Sequence, residues 1–90
     1  MQFEFVPVKS KSNEAKHGID FETAQRLWLD PNAVTVPAKN IENETRFARI
    51  AQVDGKIWFA VFTYRENNVR LVTVRKAREN ERCEYEKTDR

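Results

Sequence analysis

The sequence predicts an α+β domain: two N-terminal helices, a central antiparallel sheet of about four strands, and a C-terminal helix. Three observations carry this. Phe21, Ala24, Leu27 and Trp28 recur at helical spacing. From residue 33 onward the apolar residues alternate with a period of two, and Asp54-Gly55 sits between two such runs, a signal for a two-residue hairpin turn. The last stretch, Ala77–Lys87, is densely charged and free of Pro and Gly.

Taken in order, Phe3 and Phe5 suggest a short opening strand with both rings on one face. Pro7 suits the first position of a helix, and Val8–Lys16 follows as a polar helix that must draw stability from packing. Lys16 and His17 fall in its last turn, where positive charge is favoured, and Gly18 can take the left-handed conformation that ends it. Asp20 reads as the N-cap of the second helix, with Ile19 and Ala24 at the staple positions, and Asp30-Pro31 closes that helix. Ala33–Val36, bounded by Pro31 and Pro37, reads as a short edge strand, and Lys39–Glu44 as a loop. Thr45–Val53 and Lys56–Tyr64 form the hairpin. The second of these is apolar on both faces and belongs in the middle of the sheet. Glu66-Asn67-Asn68 turns into a last strand, Val69–Arg75, which would put Arg75 on the face of Val69, Leu71 and Thr73. The final helix has little apolar surface beyond Ala77, Cys83 and Tyr85, with Cys83 read as a small packing residue.

Ninety residues with 40% hydrophobic and 33% charged side chains make one domain, residues 1–90, with a modest core. Sixteen Lys and Arg against 14 Asp and Glu leave a net charge of +2, so placement of charge matters more than its sum. One Cys and one His cannot supply a four-ligand zinc site, and a single Cys forms no internal disulfide. There is no phosphate-cradling glycine loop and no internal repeat. No apolar run resembles a signal peptide or approaches the ~20 residues that span a bilayer. The expectation is a soluble cytoplasmic protein without cofactor or metal.

With the elements placed, the run FEFVPVKSKSNEAKHGIDFETA resembles the opening of the BrnT toxins of bacterial type II toxin–antitoxin systems. Phe3, Glu4, Pro7, Lys9, Asn13, Lys16, His17, Gly18, Phe21, Glu22 and Ala24 stand at the matching spacings. The likeness continues through Asp30-Pro31, Glu44, Arg46, Asp54-Gly55 and Thr63. It extends into RKARENERCEYE, where Arg75, Lys76, Ala77, Glu81, Arg82 and Tyr85 fit the C-terminal pattern. Four positions depart from it. Phe5 stands for the usual Trp, Val6 for Asp, Ala51 for Gly, and Tyr64 for an acidic residue. The resemblance implies a RelE-like ribonuclease toxin that cleaves RNA without a metal and inhibits translation. It also implies neutralisation by a BrnA-type ribbon-helix-helix antitoxin in a heterotetramer that reaches operator DNA only through the antitoxin.

Metal-free RNA cleavage needs a 2′-hydroxyl deprotonated, a leaving 5′-oxygen protonated and a pentacoordinate phosphorane neutralised. Arginine suits the last task, because its planar fork matches phosphate oxygens and keeps its charge. The candidate catalytic residues are therefore Arg75 and Arg46 for the phosphate, with His17 or Glu44 moving protons. Each has a plain structural alternative: Arg75 paired with a helix carboxylate, Arg46 in a cross-strand pair, and His17 as a helix-ending cation. Glu44 could act as a base only if burial raised its pKa. Lys16 and Lys76 are candidate phosphate contacts, Tyr64 and Tyr85 candidate stacking partners for bases, and Tyr85 could equally anchor the last helix. The competing function is a catalytically inactive toxin-fold module that only binds its antitoxin and acts in operon autoregulation.

Overall fold

A computed structural model describes residues 2–87. Strand β1 (Phe3–Glu4) leads into α1 (Pro7–His17) and the four-residue α2 (Phe21–Ala24), which runs on as a 3-10 stretch over Gln25–Leu29. Then come β2 (Val34–Ile41), β3 (Glu44–Val53), β4 (Lys56–Arg65), β5 (Asn68–Lys76) and α3 (Glu79–Lys87). One five-stranded sheet has the order β1-β5-β4-β3-β2. The expected four-stranded antiparallel sheet is thus extended. The opening strand pairs parallel with β5, Phe3 opposite Val69 and Glu4 opposite Arg70, which makes the sheet mixed.

Local chemistry explains the corners. Pro7 starts α1 without a side-chain cap, since Val6 at the N-cap has no acceptor to offer. Gly18 ends α1 at φ 84, a region where a side chain would be strained, and its N–H donates to the Glu14 carbonyl. The Asp20 carboxylate accepts the Thr23 N–H at 2.7 Å, and this bond holds the carboxyl below its ordinary pKa. All three hairpins turn on two residues at positive φ: Glu42-Asn43, Asp54-Gly55 and Glu66-Asn67. The first of these converts most of the expected Lys39–Glu44 loop into strand, and Pro37 is accommodated because β2 is the edge of the sheet. The last helix begins two residues later than expected, because the Ala77 N–H is still bonded to the Ile57 carbonyl.

The main core lies between α2 with its 3-10 extension and one face of the sheet. Phe21, Leu27, Ala51, Trp58, Phe62, Val69, Leu71 and Val74 are buried there. A column of aromatic rings crosses it, Phe3 on Trp28, Trp28 on Phe62, and Phe62 beside Phe47 and Tyr64, with centroids 5.1–5.8 Å apart. The free edge of β5 is closed by two devices. The Gln2 carbonyl accepts from Val69 N–H, and further along Asn13 of α1 bonds both the N–H and the carbonyl of Val74. The Asn13 amide also donates to the Ile19 carbonyl, so one buried side chain ties α1, the corner and the sheet together.

The opposite face of the sheet positions the candidate site. A β-bulge changes the register between Val61 and Phe62, which oppose Thr73 and Leu71, leaving Val72 as the extra residue. Side-chain alternation slips by one at this point. Val69, Leu71 and Val74 face the core, while Thr73 and Arg75 face away from it. The expectation that Arg75 shares a face with Val69 and Leu71 is therefore corrected. α3 crosses β3 on this second face, where Ala48 and Ile50 are also buried.

Candidate functional site: a cationic groove on the second sheet face

Two arginine–glutamate pairs stand on the second face. At one end, Arg75 of β5 donates from both terminal nitrogens to the two Glu81 oxygens of α3, each at 2.8 Å. Its guanidinium lies 4.2 Å from the centroid of the Phe59 ring. Glu81 also accepts the Arg78 N–H and is nearly buried. The Arg75 hydrogen bonds outweigh the cost of burial and hold the Glu81 carboxyl below its usual range. Nearby, Tyr85 is buried and its hydroxyl donates to Asp30 at 2.7 Å. Burial would raise the Asp30 pKa, but bonds from Asn32 N–H, the Tyr85 hydroxyl and Gln52 N–H turn the net shift downward. In this conformation Tyr85 anchors α3 and offers no free ring face for base stacking.

At the other end, Glu44 and Arg46 of β3 form the second pair, with a single bond of 3.0 Å from Arg46 Nε to a Glu44 oxygen. Both line a groove of ≈ 220 Å³ together with Lys9 of α1, Arg70 of β5 and Glu42 of the first hairpin. The register explains why the arginines meet. Arg46 precedes Phe47, which opposes Phe62, and Thr63, the residue after Phe62, opposes Arg70. Arg46, Thr63 and Arg70 therefore form one row across three adjacent strands. With strands about 4.8 Å apart, long side chains in such a row can converge on one ligand.

A smaller hollow of ≈ 190 Å³ adjoins this groove and shares Lys9 and Val72 with it. It is lined by Ser12, Lys16 and His17 of α1 and by Thr73 of β5. His17 is half-buried. The α1 residues face it because Lys9, Ser12 and Lys16 recur at helical spacing. The two hollows together line up cations from Arg46 and Arg70 through Lys9 to Lys16, with the His17 ring beside the last.

The eight residues singled out in the sequence thus divide. Glu44 and Arg46 meet in one groove, and Lys16 and His17 line the hollow beside it. Arg75 shares the face but is held by Glu81. Lys76 lines a separate shallow hollow with Lys56 and Arg82. Tyr64 is exposed on the core side of the sheet, edge-on to Phe47 and Phe62, and at the sheet's end it lines a hollow of ≈ 350 Å³ with Glu44, Thr63, Arg65 and Arg70. Arg70 was not anticipated, and Lys9 entered only as a position of the resemblance. Their signal was α1 spacing for Lys9 and strand parity for Arg70, and the bulge obscured the second.

Among the described residues, no group of three or more His, Cys, Asp and Glu side chains is placed to hold a metal ion. No helix is long and apolar enough to cross a membrane. A comparison with curated protein sequences gave no match. Residues 5–81 match the family described as the ribonuclease toxin, BrnT, of type II toxin-antitoxin systems. That span takes in α1, the hairpins, both arginine–glutamate pairs and every residue of the cationic groove, and the chain belongs to the BrnT family of ribonuclease toxins.

Proposed function

We propose that the chain is a metal-independent endoribonuclease that inhibits translation, and that RNA lies along the cationic run on the second sheet face. The observation that carries this is the Glu44–Arg46 pair, set in a groove beside Lys9 and open to solvent. Arg46 spends only Nε on Glu44, which leaves its two terminal nitrogens for phosphate oxygens. Glu44 accepts the 2′-hydroxyl proton while the 2′-oxygen attacks phosphorus. His17 lines the adjoining hollow, about 12 Å along α1 from Lys9, so the leaving 5′-oxygen takes its proton from water in the open groove. Lys9 and Lys16 hold flanking phosphates. Cations set in advance around the phosphorane can neutralise it without a metal, which is why a groove of this composition supports metal independence. Arg75, bidentate to Glu81, serves to dock α3.

The antitoxin partner in this reading is a BrnA-type ribbon-helix-helix protein. It would form a heterotetramer with the toxin and carry the pair to operator DNA, in the cytoplasm where RNA substrate and antitoxin are made. The RelE-like assignment of the fold belongs to the same reading, supported by the family and the α+β layout.

The test is incubation of the purified chain with total RNA in EDTA, beside Arg46→Ala and Glu44→Gln. Cleavage that survives the chelator and falls in both variants supports the reading. A second reading, an inactive module that binds only its antitoxin, is favoured by Val6. This residue lines the groove where the resemblance has Asp, and it leaves α1 uncapped. Intact RNA with folded protein that still captures its antitoxin would select it.

A further inference from the structure

Among the described residues four arginines are half-buried: Arg46, Arg49, Arg70 and Arg75. Three of them are satisfied within the chain. Arg46 is bonded to Glu44, Arg75 is bidentate to Glu81, and Arg49 donates to the Leu27 carbonyl while lying 5.2 Å from the Trp28 ring centroid. The Arg70 side chain makes no hydrogen bond or ion pair within the described residues. The carboxylate beside it in register, Glu4, accepts from Asn68 at 2.9 Å instead, and Glu44 is taken by Arg46. A guanidinium carries five donors and holds its charge at any ordinary pH. Half-buried without a protein acceptor, Arg70 keeps those donors for what enters the groove it lines.

Its place says which anion. Arg70 shares a groove with Lys9 and Arg46, and with Arg46 it stands in one row across the sheet, separated by the strand that carries Thr63. Two planar forks and an ammonium around one space match the several oxygens of a phosphodiester better than the two of a carboxylate. Glu44 sits at the same space, bonded to Arg46, where it would face a 2′-hydroxyl next to the bound phosphate. The Val72 bulge helps, because the extra residue on β5 turns the strand beside Lys9.

We infer that Arg70 is the principal ligand of the scissile phosphate, and that it, rather than Arg75, fixes the phosphorus beside Glu44. This deepens the ribonuclease reading and rests on it for the word scissile; the anion site itself does not.

The experiment therefore has two arms. In the first, the arginine Nε–Hε resonances of the intact chain are followed by NMR while inorganic phosphate and then a 2′-O-methyl oligoribonucleotide are added. The Arg70 resonance should move most, with Arg75 nearly still. In the second, RNA cleavage and binding of the same blocked oligonucleotide are measured for wild type, Arg70→Gln, Arg70→Lys and Arg26→Gln, with melting curves as a check on folding. Arg70→Gln should bind at least about tenfold more weakly and flatten the salt dependence of binding by about 0.7 in slope. Arg70→Lys should recover part of the binding but little cleavage, and Arg26→Gln, an exposed arginine paired with Asp54 away from the groove, should match wild type. Arg70→Gln cleaving like wild type would overturn the inference and leave the ribonuclease standing. Phosphate that moves Arg70 in a chain that cleaves no RNA would do the reverse, keeping the anion site and removing the enzyme. Phosphate and oligonucleotide that both leave the Arg70 resonance unmoved would end the proposal outright.

Discussion

The pairs Arg75–Glu81 and Arg46–Glu44 join the same two residue types on the same sheet face, yet they are built for different work. Arg75 meets Glu81 through two bonds, with an aromatic ring beneath it and a backbone N–H on the far side of the carboxylate. Glu81 keeps 12% of its side-chain surface exposed, whereas Glu44 keeps 41%. The first pair has few lone pairs or donors left for a ligand. The second is joined by one bond and opens on a groove already lined by cations. Ion-pair chemistry alone does not mark a site. What marks it is unspent hydrogen-bonding capacity facing a space that a substrate can enter.

The largest effect that would break this contrast concerns activity. Arg46→Ala and Glu44→Gln should each lower RNA cleavage by roughly 10²–10³-fold, the cost of losing one preorganised charge-stabilising group or the base. Their melting temperatures should stay close to wild type, because neither group closes a buried network. Arg75→Ala should do the opposite. Loss of a charged, partly buried pair costs about 2 kcal/mol, seen as an earlier urea midpoint, while cleavage per folded molecule holds. Collapse of cleavage in a fully folded Arg75→Ala chain would instead return the phosphate to Arg75 and require α3 to move.

The pH dependence sharpens the comparison further. Glu81 and Asp30 both titrate below their ordinary values of 4.5 and 3.8, so each binds protons less readily folded than unfolded. The stability they add is complete above those ordinary values and fades as pH falls through the lower, folded ones. Urea midpoints measured from pH 7 down to 3 should drop below about pH 4.5 in wild type. The drop should be shallower in Arg75→Ala, which lacks the main cause of the Glu81 shift. The smallest effect belongs to Tyr85→Phe, which removes one hydroxyl bond to Asp30 and should cost about 1 kcal/mol with cleavage unchanged. A Tyr85→Phe chain that folds normally but binds RNA poorly would give Tyr85 a role in substrate contact after all.

Comparing elements shows where sequence reasoning held. α1 ends at Gly18, Asp20 caps α2, Ile19 and Ala24 are buried together, and Asp54-Gly55 turns a hairpin into a β4 that is apolar on both faces. Cys83 was misread, being exposed rather than packed, because a helix with so few apolar residues gives no clear phase. Within the candidate site, alternation placed Arg46 on its strand, but Glu44 was expected in the preceding loop; the tight Glu42-Asn43 turn brings it into β3, two residues from Arg46 and on the same face.

What the sequence determined by itself was local: caps, turns, the period of each strand and the family signature. Each depends on residues within a few positions of one another, so the chemistry is written in the order of the chain. Only the tertiary structure decided the rest. Residues 3–4 pair in parallel with a strand more than sixty positions away, and Asn13 closes the edge of the same strand. One extra residue at Val72 reverses the faces beyond it, moving Arg75 away from Leu71 and onto the side where Glu81 waits. Long-range pairing and a one-residue slip leave almost no trace in periodicity, yet they decide which arginine is held by a carboxylate and which has no partner among the described residues.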